Sequence, residues 1–193
     1  EGVNLREEVE RSGPLDLEKA LHFMLQVAEA LDHSSRREVV HRDIKPENVL
    51  VDRKGRVMIA DFGLAKILGL EAPDLRLTGE GQVMGTPHYM APEQVERPLE
   101  VDHRAHIYSL GVVFYEMLTG ELPLGKFQAP SQKVEIDVRL DEVVLKTLAK
   151  EPQRRYQQVS QVRTEVQTIV STLDTSREGA PGDVLKSNQC YIS

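Results

Sequence analysis

The sequence predicts a mainly α-helical domain that carries one small β-hairpin. Two observations predict it: long segments repeat apolar residues at helical spacing, and a single "DRKG" turn separates two short apolar runs. Composition adds a third. With 193 residues, 40% hydrophobic and 28% charged, the chain is long enough and apolar enough for one core of its own.

The first helical segment is "DLEKALHFMLQVAEALDH", where Leu17, Leu21, Met24, Ala28 and Leu31 share a face. Asp16 stands at its N-cap position, with Pro14 just upstream. The hairpin follows over residues 49–51 and 56–60, with Gly55 supplying the positive φ of the turn. Residues 66–100 are rich in Gly, Pro and charge without a lasting period, which predicts a long functional loop. "AHIYSLGVVFYEMLTG" is apolar on most sides and should be a buried helix ending near Gly120. Helices are also predicted at "LDEVVLKTLAK" and "QQVSQVRTEVQTIVSTL", and residues 173–193 should form a flexible tail. No internal repeat is present.

Several function classes are disfavoured. A net charge of −7 argues against a nucleic-acid binder. The longest apolar stretch, "IYSLGVVFYEML", is too short to span a bilayer and contains Glu116. The chain opens with acids and a helical pattern, which is not a signal peptide. Cys190 is the only cysteine, so no intrachain disulfide forms, and a reducing, cytoplasmic setting is expected.

The chemistry-bearing stretch is "HRDIKPENVL", residues 41–50, which packs two acids, three basic-type residues and an Asn beside a strand. "DFG" (Asp61, Phe62, Gly63) follows the second hairpin strand, and "GTPHYMAPE" closes the long loop at Glu93. With these three motifs in this order, the sequence resembles the protein kinases, most closely the bacterial serine/threonine kinases of eukaryotic type. The resemblance runs from about Glu1 to Thr172, so residues 1–172 are expected to form a hinge and the C-terminal lobe of a kinase-like fold. "HRDIKPENVL" is then the catalytic loop and residues 61–93 the activation segment.

The resemblance implies a role for each residue. Asp43 is the base beside the substrate hydroxyl. Lys45 places positive charge on the transferring phosphate and marks Ser/Thr specificity. Asn48 and Asp61 offer hard oxygens for Mg2+ bridging the phosphates of ATP. Leu50 packs under the adenine ring. His41 and Phe62 stack in a regulatory column, and Glu93 pairs with Arg155 of "EPQRRY". Arg42 would draw in a phosphate on the activation segment, with Thr78 as acceptor in a contact with a second kinase. Thr86 would instead touch Asp43 and Lys45. Glu47 lies where some kinases bind a basic substrate residue and carries little weight here. "GEGQVMG" (79–85) imitates a nucleotide loop but lacks the spacing and the strand–helix setting of one.

The sequence also departs from the family. It begins at "EGVNLREEV", which resembles the hinge; the Gly-rich loop, the strand lysine and its glutamate partner lie outside it. His106 replaces the usual Asp that accepts backbone N–H groups of the catalytic loop, and protonation would remove its acceptor. Ser35 replaces a usual His, and Glu38 a usual Gly, with strain if φ is positive there. The expected function is therefore transfer of the ATP γ-phosphate to protein Ser/Thr hydroxyls, by a fragment inactive alone. The competing readings are a non-catalytic docking module and a gene remnant.

Overall fold

The structure is a computed structural model that describes residues 2–61 and 87–178. Phe62, Gly63, Thr78, Thr86 and the "GEGQVMG" stretch fall outside the described residues.

A helical body carries a small sheet at one edge. The chain opens with β1 (Val3–Asn4) and α1 (Leu5–Ser12), passes through α2 (Leu17–Ser35), and enters the hairpin β2 (Val49–Val51) and β3 (Val57–Ile59). After the undescribed segment come α3 (Pro92–Glu96), α4 (Arg104–Thr119), α5 (Arg139–Thr147) and α6 (Val159–Glu178). The sheet is antiparallel in the order β1-β2-β3, with Asn4 opposite Leu50 and Leu50 opposite Met58.

Two details differ from the sequence reading. The hairpin gains a third strand, because Val3–Asn4 pairs with β2. Two residues are too few to show a strand period, so only the partner strand reveals them. The last helix continues past Thr172, the expected edge of the domain, to Glu178. Its buried stripe, Val159, Val162, Val166 and Ile169, ends earlier, and the polar turns beyond continue the same helix.

Local chemistry explains the element boundaries. Asn4 caps α1 by accepting from the Glu7 amide at 2.9 Å, and Asp16 caps α2 by accepting from the Lys19 amide at 3.0 Å. In the hairpin turn, the Asp52 carboxylate accepts from the amides of Lys54 and Arg56 at 2.8 and 2.9 Å, while Gly55 takes φ 75°. Gln26 of α2 holds that turn to the body. Its Nε2 donates to the Gly55 carbonyl at 2.9 Å, and its Oε1 accepts from the Val57 amide at 3.0 Å. Gly120 ends α4 in the left-handed region, φ 71°.

Helix α4 is the centre of the core. Ile107, Leu110, Val112, Val113, Phe114 and Leu118 are all buried, and α2, α5 and α6 pack around it. The approach of α5 depends on Gly111. A Cβ there would lie 2.2 Å from Thr147 Oγ1 and 2.8 Å from Thr147 Cβ. Thr147 is itself buried and bonded to the Val144 carbonyl at 2.7 Å, so it has little room to yield. Overpacking of this kind costs about 1–3 kcal/mol or more, against the ~1 kcal/mol that Ala gains over Gly in a helix. Gly111→Ala is therefore expected to lower the urea midpoint, and adding Thr147→Ala to recover part of the loss. A Gly111→Ala chain as stable as the parent would contradict this packing.

Candidate active site

The site is built where the loop between α2 and β2 meets the end of β3. A 3-10 turn at Pro46–Asn48 brings Asn48 back onto Asp43. Asn48 Nδ2 donates to the Asp43 carbonyl at 2.8 Å and to Asp43 Oδ2 at 3.2 Å. Lys45 Nζ lies 3.0 Å from the same Oδ2, and both side chains are partly exposed. Asp61 joins them through the hairpin: the Ala60 amide donates to the Asn48 carbonyl at 2.8 Å, extending the β2–β3 ladder to its neighbour. Asp43, Lys45 and Asn48 are thus grouped, and Asp61 follows the residue whose amide pairs with Asn48.

The donor set suits magnesium. Both amide hydrogens on Asn48 Nδ2 are directed at Asp43, which leaves Oδ1 as an oxygen acceptor, and Asp61 adds an exposed carboxylate. Magnesium needs only one or two such protein oxygens when phosphates and water complete its shell. Among the described residues no cluster of three or more His, Cys, Asp or Glu side chains is found. Beside this group, Leu50 and Met58 face each other across β2 and β3 and are 37% and 60% exposed. They form an apolar floor that a flat heterocycle could cover. Met58 was not singled out from sequence, although the strand alternation places it on the face of Leu50.

Backbone strain gathers at the same place. Arg42 and Asp61 take φ 63° and 53°, and Glu38, just upstream, takes 58°. Left-handed conformations at non-Gly residues cost about 1–3 kcal/mol each, so the surroundings must hold them. Gln94 of α3 donates to the Arg42 carbonyl at 2.8 Å. The His41 ring spans from the loop to β3: its Nε2–H donates to the Ala60 carbonyl at 2.9 Å, leaving Nδ1 as an acceptor facing the Asp43 amide at 3.4 Å.

His106 on α4 accepts from the His41 amide through Nε2 at 2.7 Å. Burial, with the nearby His41 and His103 rings, pushes its pKa down to about 3, against a smaller opposing pull from Asp102. Burial thus keeps the ring neutral, and Nε2 an acceptor, through mild acid.

Glu93 and Arg155 form a bidentate pair at 2.6 and 2.7 Å, with side chains only 5% and 0% exposed. Arg155 also donates to the carbonyls of Ala149, Lys150 and Arg104 and stacks 5.0 Å from the Tyr108 ring centre. The buried charge is therefore fully satisfied, and α3 is tied to the start of α4 and to the segment between α5 and α6.

A second charged network had not been read from sequence. Arg6 of α1 pairs with Glu116 of α4, with Glu47 at 3.0 Å and with the Tyr89 hydroxyl, which donates to Glu116 Oε2 at 2.6 Å. Burial and the bond to Glu116 hold the Tyr89 phenol well above its usual pKa. A lone acid inside so apolar a helix was the available signal, since a buried carboxylate requires a cation.

The histidines make stability depend on pH. Folded His106 stays neutral down to about 3, while the unfolded chain binds a proton below about 6.5. The stabilisation is thus complete above 6.5 and lost as pH falls, by up to ~1.4 kcal/mol per unit. His41 is shifted down as well, chiefly by burial, and adds to the slope. Urea midpoints should fall clearly between pH 7 and pH 5, and less so in His106→Gln. Equal slopes in the two chains would contradict the assignment.

Comparison with known proteins agrees with this architecture. The chain matches the family model "protein kinase domain" over residues 1–178. It is 37% identical over 181 residues to the serine/threonine-protein kinase PknB of Mycobacterium leprae, covering 86% of this chain and 28% of that protein. It is 32% identical over 183 residues to the serine/threonine-protein kinase PrkC of Bacillus subtilis, covering 87% and 28%. The chain thus spans less than a third of the length of these relatives. A crystal structure of the Mycobacterium tuberculosis PknI kinase domain superposes with a TM-score of 0.68 at 25% identity, over 87% of this chain and 62% of that one. The chain belongs to the protein kinase family.

Proposed function

We propose that this chain is the C-terminal lobe of a serine/threonine protein kinase and carries its phosphoryl-acceptor machinery. The observation that supports this most is the grouping of Asp43, Lys45 and Asn48 within hydrogen-bonding distance of one another. Asp43 would accept the proton of a substrate hydroxyl, and Asn48 holds the Asp43 backbone and carboxylate in place for it. The Lys45 ammonium, 3.0 Å from that carboxylate, would meet the phosphate as the hydroxyl docks. Asn48 and Asp61 would hold magnesium, which when bound neutralises charge on the ATP phosphates. Leu50 and Met58 would lie against the adenine.

Protein Ser/Thr hydroxyls are the proposed substrates, in the cytoplasm. Among the described residues no helix is long and apolar enough to cross a membrane. Control is proposed at Arg42 and Thr78. A phosphate on Thr78, placed by a second kinase, would add nearly two negative charges and strong acceptors for the Arg42 guanidinium. The docking-module reading keeps the same surfaces without chemistry, and the test below separates the two.

Phosphoryl transfer depends on clamping ATP as well as on the acceptor side. The 193-residue polypeptide expressed alone should therefore show no measurable transfer. Joined at residue 1 to the ATP-binding lobe of a bacterial relative, it should move labelled phosphate from ATP to protein Ser/Thr. Asp43→Asn should cut that rate by about a hundredfold or more. A folded but inert fusion would favour the docking module, and a rate indifferent to Asp43→Asn would refute the assignment of the base.

A further inference from the structure

We infer that Ser35 is a positioning residue for the catalytic loop, acting through the tautomer of His106. Three contacts carry this inference. The His41 amide donates to His106 Nε2 at 2.7 Å, His106 Nδ1 lies 3.2 Å from Ser35 Oγ, and Ser35 Oγ lies 2.8 Å from the Leu31 carbonyl.

Proton counting allows one arrangement. A backbone N–H can only donate, so His106 Nε2 must be the bare nitrogen, and the ring proton must sit on Nδ1. Nδ1–H then donates to Ser35 Oγ. The Leu31 carbonyl can only accept, so it takes the single hydroxyl proton of Ser35. Every donor meets an acceptor, in one continuous run from the catalytic loop through α4 to α2. The opposite tautomer would set Nε2–H against the His41 N–H, two donors at 2.7 Å with no acceptor between them. An imidazolium would do the same.

Ser35 thus supplies the acceptor for the Nδ1–H that the His41 amide requires of the ring. Without its oxygen, Nδ1–H loses its acceptor in a buried setting, and the preference that keeps Nε2 bare weakens. The consequence reaches the site, because His41 hands the constraint on: its backbone is held by His106 and its ring by the Ala60 carbonyl, next to Asp61. Arg42, at φ 63°, lies immediately between His41 and Asp43 and cannot relax while His41 is fixed. That this geometry serves phosphoryl transfer rests on the kinase reading; the tautomer itself does not.

The test uses the 15N-labelled chain and needs no activity, so its failure is distinct from a failure of the kinase reading. In the parent chain the His106 ring should show a protonated Nδ1 and a bare Nε2, with a scalar coupling across the hydrogen bond between the His41 amide and Nε2. Ser35→Ala should shift the tautomer ratio by about fivefold, the equivalent of one neutral hydrogen bond, and weaken the coupling. Ser35→Thr, which keeps the hydroxyl, should retain both signatures. An Nε2–H tautomer in the parent chain or in Ser35→Thr overturns the inference, and so does Ser35→Ala with ring shifts and coupling unchanged. Should Ser35→Ala fail to fold, the parent and Ser35→Thr spectra still decide it.

Discussion

A helix buried along its length can carry polar groups only where each finds a partner, and α4 is such a helix. His106, Ser109, Glu116 and Thr119 are its buried polar side chains; Thr119 bonds back to the Tyr115 carbonyl, and the other three reach out to other segments. His106 takes the His41 amide, Ser109 donates to the Tyr89 carbonyl at 2.7 Å, and Glu116 meets Arg6 and Tyr89. At the N-terminal end of the helix, the Arg104 carbonyl accepts from Arg155, which clasps Glu93. The loop around His41, helix α1 and the segment around Tyr89 and Glu93 are therefore referenced to one rigid element. Leaving any of these groups without its partner costs more than a surface contact would, because water cannot replace what is lost.

This dependence explains how strain can persist at the site. Arg42 and Asp61 sit in left-handed backbone conformations on either side of the Asp43–Asn48 cluster. Hydrogen bonds to backbone carbonyls brace them, from Gln94 to the Arg42 carbonyl and from His41 to the Ala60 carbonyl. The bond from the Ala60 amide to the Asn48 carbonyl ties the strand that leads into Asp61 to the loop that carries Asp43. A neutral histidine in place of a carboxylate on α4 works within this scheme. It supplies a single acceptor, and the serine on α2 supplies the acceptor its other nitrogen needs.

Much of this was legible in the sequence. The long helices announced themselves through Leu17 to Leu31 and through the apolar run around Phe114, and the caps Asp16 and Gly120 lie where the residue types placed them. The residues of "HRDIKPENVL" were picked out as a group because acids, a base and an amide crowd one loop. What escaped were contacts between residues distant in sequence. The Arg6–Glu47–Glu116–Tyr89 network joins four separate segments, and the pairing of β1 with β2 joins two. Ser35 and His106 were each visible as departures, but that one completes the other follows only from their 3.2 Å approach.

The loop around His41 and α4 should form one cooperative unit. Native-state hydrogen exchange across a urea series measures this most directly. The amides of His41 and Ala60 should open with the same free energy and the same urea dependence as the core amides of α4. If His41 and Ala60 exchanged through a local, urea-independent opening while α4 stayed protected, the loop would not be anchored as described.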